Sequence, residues 1–177
     1  EDHVDMIGIA QLSFDAGELA WGDLNIGDDV EVKVSGGDRK IFVGVITGFR
    51  HRKSQEGDTL TVQAMDPLCK LGSSRHTQVF EETADSDVVN TILGDAGLDV
   101  GTVDSTDTTH AYILQRNESD LAFLRRLAAR NGYRLQANEG KIDFVKVQYS
   151  DDPIELETGK LVSMDCQFSD QRIPSQL

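Results

Sequence analysis

Leu114-Gln115-Arg116-Asn117-Glu118-Ser119-Asp120-Leu121-Ala122-Phe123-Leu124-Arg125-Arg126-Leu127-Ala128 changes period in mid-stretch. Tyr112, Leu114 and Gln115 read as a short strand. Leu121, Leu124, Leu127 and Ala128 then recur at helical spacing. Asn117 or Ser119 is available as the helix cap, and Glu118 and Asp120 place negative charge at the positive end of the dipole. Arg125, Arg126 and Arg130 fall toward the C-terminal half, and Asn131-Gly132 stops the helix. A strand running directly into a capped helix inside a β-rich chain makes the fold α+β.

Working outward, Tyr133, Leu135 and Ala137 face Ile142, Phe144 and Lys146 across Asn138-Glu139-Gly140, a hairpin signal. Upstream, Asp85 or Ser86 caps a helix with Val88, Val89, Ile92, Leu93 and Ala96 on one face, and Gly97 ends it. Gly101 to His110 reads as a polar linker. The first 80 residues alternate at period 2: Leu12 and Phe14, then Val30, Val32 and Val34, then Ile41 to Phe49, then Leu60, Val62 and Ala64. Gly44 and Gly48, four apart, suggest a bend of the kind that small barrels need. Arg50 to Asp58 is polar and charged and reads as a loop. Leu161 to Phe168 is one more alternating strand. The expected fold is thus α+β and β-rich. A small barrel spans residues 1–80, a two-helix and hairpin insertion spans 81–158, and the start of a truncated second barrel spans 159–177.

With 31 Asp+Glu against 17 Lys+Arg, the 177-residue chain carries a formal charge of −14. Such an excess of carboxylates repels phosphate and disfavours both groove reading on nucleic acid and docking to anionic membrane. A hydrophobic content of 38% still supports a folded core rather than an acidic tail. No stretch reaches the roughly 18 apolar residues that a membrane-spanning helix needs. The two cysteines, Cys69 and Cys166, exclude a disulfide framework and a four-cysteine zinc site, and read as reduced thiols.

Catalytic patterns are missing. His3, His51, His76 and His110 are scattered without metal-ligand spacing, and there is no Gly-x-Ser-x-Gly elbow. Asp99, Asp104 and Asp107 lack the order of a calcium loop. No catalytic residue, cofactor or metal ligand is assigned. Arg50-His51-Arg52-Lys53 is the one concentrated basic run. It reads as a solvated hairpin tip or as a contact onto an acidic surface, so Arg50, Arg52 and Lys53 are the candidate interface.

Several of these segments resemble a known family. Val43-Gly44-Val45-Ile46-Thr47-Gly48, Thr61 to Leu68 with Leu71, Asp85 to Leu93 with Gly97-Leu98, and above all Leu114 to Ala128 with Asn131-Gly132-Tyr133 are similar to phage tail hub proteins. That family comprises late control protein D, the related myophage baseplate hubs, and the hub half of the type VI secretion spike protein VgrG. The likeness runs over about residues 30 to 135. It implies a structural, non-enzymatic role as a baseplate hub of a phage tail or contractile injection system, assembled in the bacterial cytoplasm. Such a hub is a homotrimer that joins tail tube to spike, and translocated DNA or effector passes through its channel without specific binding. Carried over as structural signature residues are Asp66, Asn117, Glu118, Asp120, Leu124, Gly132 and Tyr133. The alternatives are an acidic β-rich hydrolase of the cell-wall-degrading kind, and a carbohydrate- or cation-binding module.

Overall fold

The computed structural model of the chain describes residues 7–15, 24–34, 37–55 and 57–148. In chain order these form β1 (Ile9–Asp15), β2 (Asp29–Lys33), β3 (Lys40–Ser54) and β4 (Gly57–Met65), then a 3-10 turn at Pro67–Gly72. β5 (Arg75–Ala84), α1 (Asp85–Asp95), β6 (Val100–Val103) and β7 (Thr109–Ser119) follow. The last described elements are α2 (Asp120–Asn131), β8 (Tyr133–Asn138) and β9 (Lys141–Lys146). The architecture is α+β and β-rich, as the change of period indicates.

Three sheets result. An antiparallel sheet runs β1-β4-β3-β2, β5 and β7 form an antiparallel ribbon, and β6-β9-β8 is mixed, with β6 parallel to β9. No closed barrel is found among the described residues, since β1 and β2 remain the outer strands of the first sheet. The bend expected from the glycines is real but local. The register of β3 on β4 shifts between Ile46 and Gly48, and a Cβ on Gly44 would collide with the Met65 carbonyl oxygen. A bulge of this kind curves a sheet without closing it.

Two segments read as irregular are strands. Arg50 to Asp58 is a tight hairpin, with Arg50 opposite Thr61, Arg52 opposite Thr59 and Lys53 opposite Asp58. Its residues are mostly exposed, so no apolar alternation marks it. Within Gly101 to His110, Gly101 to Val103 belong to β6, whose pairing comes from distant β9 rather than from a local pattern. The Asp143 carboxylate accepts from the Thr102 amide at 2.7 Å and fixes that edge. The expected strand Leu161 to Phe168 lies outside the described residues.

The larger core gathers both helices, the 3-10 turn and the β8–β9 hairpin. Leu68, Leu71, Val89, Leu93, Phe123, Leu124, Leu127, Leu135 and Phe144 are at most 1% exposed. Each such side chain contributes about 1.5–3 kcal/mol by leaving water. Phe80 stacks on Phe123 with ring centroids 6.0 Å apart, which seats the ribbon on α2. A smaller core of Ile46, Leu60 and Val62, with Leu24 and Val30 against it, underlies the first sheet.

Candidate functional site

The helix ends decide where the polar side chains go. Ser119, with extended backbone, caps α2 by accepting from the Ala122 amide at 3.2 Å, and Gly132 closes it in the left-handed conformation at φ 66°. Of the two caps open in the sequence, Ser119 is the one used. Asn117 instead lies inside β7 at φ 46°, its amide donating to Thr77 Oγ1 and its carbonyl accepting from Arg75 Nη1. Asn tolerates this left-handed conformation better than most residues, which gives the position a backbone role.

Beside it lies a buried amide. Gln115 is fully buried, donates through Nε2 to Asp120 Oδ1 at 2.8 Å and to the Glu118 carbonyl at 3.1 Å, and accepts from Gln78 Nε2 at 2.7 Å. Glu118 pairs with Arg126 at 2.7 Å, and the Arg126 guanidinium also lies over the Phe123 ring. Glu118 and Asp120 therefore fasten the strand-to-helix corner as well as favouring the dipole. Leu124 is fully buried, and Tyr133 packs on Phe144 while its hydroxyl donates to the Ser105 carbonyl at 2.8 Å.

Asp85 departs from the expected cap. The N-cap of α1 is Ala84, which makes no side-chain cap bond, and Ser86 exchanges hydrogen bonds with Thr106. The Asp85 carboxylate, fully buried, accepts from both Arg130 Nε at 3.0 Å and Arg130 Nη2, and from Asn131 Nδ2 at 2.6 Å. His110 Nε2 stands 3.7 Å away. A buried carboxylate is tolerable only with such partners, so the geometry of α2 commands Asp85 and the backbone of α1 goes without a side-chain cap. Sequence spacing offers no sign of this pairing, because 45 residues separate the partners.

Asp66 holds a third corner. Oδ1 accepts from the Leu68 amide at 2.9 Å and Oδ2 from the Gly8 amide at 2.5 Å, tying the start of β1 to the turn after β4. A Cβ on Gly8 would meet that carboxylate at 2.9 Å, so the approach relies on glycine.

A cleft of about 680 Å³ lies between the starts of β1 and β3 and the β8–β9 turn, and Asp66, Arg39, Lys40, Phe42 and Glu139 are among its lining residues. Lys40 pairs with Glu31 at 2.6 Å; the hydrogen bond lowers the Glu31 pKa and raises that of Lys40. Of the two lining carboxylates, Asp66 and Glu139, Asp66 accepts from backbone amides. Burial, with the Asp66 charge adding to it, raises the Cys69 pKa above its ordinary value and keeps that thiol protonated. Among the described residues no group of three His, Cys, Asp or Glu is placed to hold a metal ion, and no helix is long and apolar enough to cross a membrane.

The structure thus gathers Asn117, Glu118 and Asp120 at one corner and sets Gly132 and Tyr133 at the far end of α2, with Asp66 apart from both. Arg50, Arg52 and Lys53 extend along the β3–β4 hairpin. Arg50 and Arg52 face the same side, opposite threonines, while Lys53 and His51 approach Asp58 at 3.7 and 3.8 Å. Gln115 and Gly8 were not singled out by sequence; a polar residue at an inward strand position is the signal for the first.

Solved structures that share this fold include three proteins. The 43 kDa tail protein of prophage MuSo2 from Shewanella oneidensis matches with a TM-score of 0.65 at 14% identity, over 87% of this chain and 48% of that one. The E. coli c3393 protein, a type VI secretion component with structural similarity to the T4 tail proteins gp27 and gp5, matches at 0.64 and 21% over 81% and 43%. The tail protein of Neisseria meningitidis MC58 matches at 0.64 and 18% over 86% and 50%. The chain therefore spans about half the length of these proteins. No curated protein matches the sequence. The likeness to tail proteins seen in the sequence is thus met at the level of fold, but the family model that matches is a different one from late control protein D. Its match extends over residues 4–169, and the chain belongs to the Alg8 N-terminal domain family.

Proposed function

We propose that the chain is a non-enzymatic structural component of a phage tail or contractile injection machine, acting in the baseplate hub. The observation that carries this reading is the fold shared with two tail proteins and a type VI secretion component over 81–87% of the chain. The polar chemistry supports it. Asp66, Asp85 and Asp120 serve the fold, held by backbone amides, Arg130 and Gln115 respectively. In this reading the full-length protein trimerises, joins the tail tube to the spike and lines a channel. The −14 charge of these 177 residues repels the phosphates of DNA passing through, a field effect rather than a binding site. The hairpin bearing Arg50, Arg52 and Lys53 supplies a contact to an acidic neighbour in the assembly.

Imaging of purified particles by electron cryo-microscopy, with the protein tagged, tests the placement. The tag is expected at the junction of tube and spike. A tag found only in the soluble fraction, together with cleavage of peptidoglycan by the purified chain, would favour the hydrolase.

A further inference from the structure

The β5–β7 ribbon has two unlike faces. One presents Phe80, Ile113 and Gln115 to α2 and the core, with exposed Gln78 at its margin bonded to Gln115. The other leaves Val79 54% exposed, Leu114 40% and Tyr112 71%, the highest exposure among the large apolar side chains described. Val79 stands directly opposite Leu114, and Glu81 opposite Tyr112, while Thr77 opposite Arg116 forms the next row on the other side. The outer face is therefore an apolar centre with a guanidinium at one end and a carboxylate at the other. Among the described residues neither the Arg116 nor the Glu81 side chain has a hydrogen-bond or ion-pair partner, and four residues of strand, about 13 Å, keep them apart.

We propose that this face binds the same face of a second copy through a two-fold contact. The argument is charge complementarity under symmetry. Arg116 and Glu81 lie on opposite strands at opposite ends, so they are antipodal about the Val79–Leu114 row. A two-fold axis in the plane between two ribbons, perpendicular to the line joining them, brings Arg116 of each copy over Glu81 of the other. That line makes an angle of about 20° with the strands, from a spacing of about 4.8 Å across and 3.4 Å per residue along. The two ribbons then cross at about 40°, near the angle at which aligned sheets pack. Val79 meets Val79 and Leu114 meets Leu114 at the centre, which is the isologous arrangement that a two-fold interface requires.

The contact is independent of the hub reading, because ring closure alone yields trimers, the ribbon alone dimers, and both together hexamers. The test is static light scattering on the chain from about 1 to 500 μM, with parallel thermal melts. The parent chain is expected to dimerise. Arg116→Glu and Glu81→Arg each place like charges in both symmetric pairs, and each is expected to weaken the dimer at least about tenfold. The double variant Arg116→Glu/Glu81→Arg restores opposite charges and should return to within about threefold of the parent. A parent that stays monomeric to 500 μM, or a dimer that neither single reversal weakens, overturns the proposal.

Discussion

Removing Arg130 should destabilise the chain more than removing Arg130 and Asp85 together. Asp85 has a side chain 1% exposed, whereas its Arg130 partner is 39% exposed and opens to water. Asp85→Ala therefore frees a guanidinium that rehydrates, and loses the charge-assisted bonds to Arg130 and Asn131; the cost is about 2–3 kcal/mol. Arg130→Ala instead strands a carboxylate beneath the surface with Asn131 and the more distant His110, and breaking a buried pair in this way costs about 3–5 kcal/mol. In the double variant the stranded charge is gone, so its stability should lie about 1 kcal/mol above that of Arg130→Ala alone. The coupling between the two positions is then about 3–4 kcal/mol, at or just beyond the upper end for residues in contact. Urea unfolding of the parent and three variants at pH 7, with a common m-value, supplies the numbers. Additive losses within about 0.5 kcal/mol would refute the reasoning, since they would mean that Asp85 is solvated once Arg130 is removed.

Other expectations are simpler. Ser119→Ala should cost about 1 kcal/mol through loss of the α2 cap, while Asn117→Gly, which relieves a left-handed non-glycine residue, should change chemical-denaturation stability by less than about 0.5 kcal/mol. Gly44→Ala forces a methyl group onto the Met65 carbonyl and should cost about 3 kcal/mol, visible as lost protection of the β3 and β4 amides in hydrogen exchange. Glu31, lowered from 4.5 by Lys40, adds stability above that value that is lost as pH falls through the lower folded value. Lys40, raised from 10.5, adds stability below that value that is lost as pH rises through the higher one. In Lys40→Ala the Glu31 carboxyl should titrate by NMR closer to 4.5, and an unchanged titration would exclude the pair.

What could be read from the sequence follows from how local each cause is. The α2 helix, its stop at Gly132 and the β8–β9 hairpin were legible because cap, periodicity and turn residues are contiguous. Asp85 was misread as a cap because its position suits one. Its true partner on α2 overrides that local preference with a buried charge that nothing nearby could satisfy. β6 and the strand character of Arg50 to Asp58, beyond a hairpin tip, are not legible in the sequence for a shared reason. Edge and solvent-facing strands carry no apolar alternation, and their pairing depends on residues elsewhere in the chain or across the turn. Barrel closure was inferred from two glycines, of which one marks a close approach to the backbone and the other a bulge.

The hub account stands most directly on assembly state. The molar mass of the protein, measured by light scattering with and without its spike protein, should correspond to a trimer, or to a hexamer where the two-fold ribbon contact also forms, with the threefold unit retained on addition of the spike. A protein that stays monomeric at every concentration, with the spike present, would contradict it.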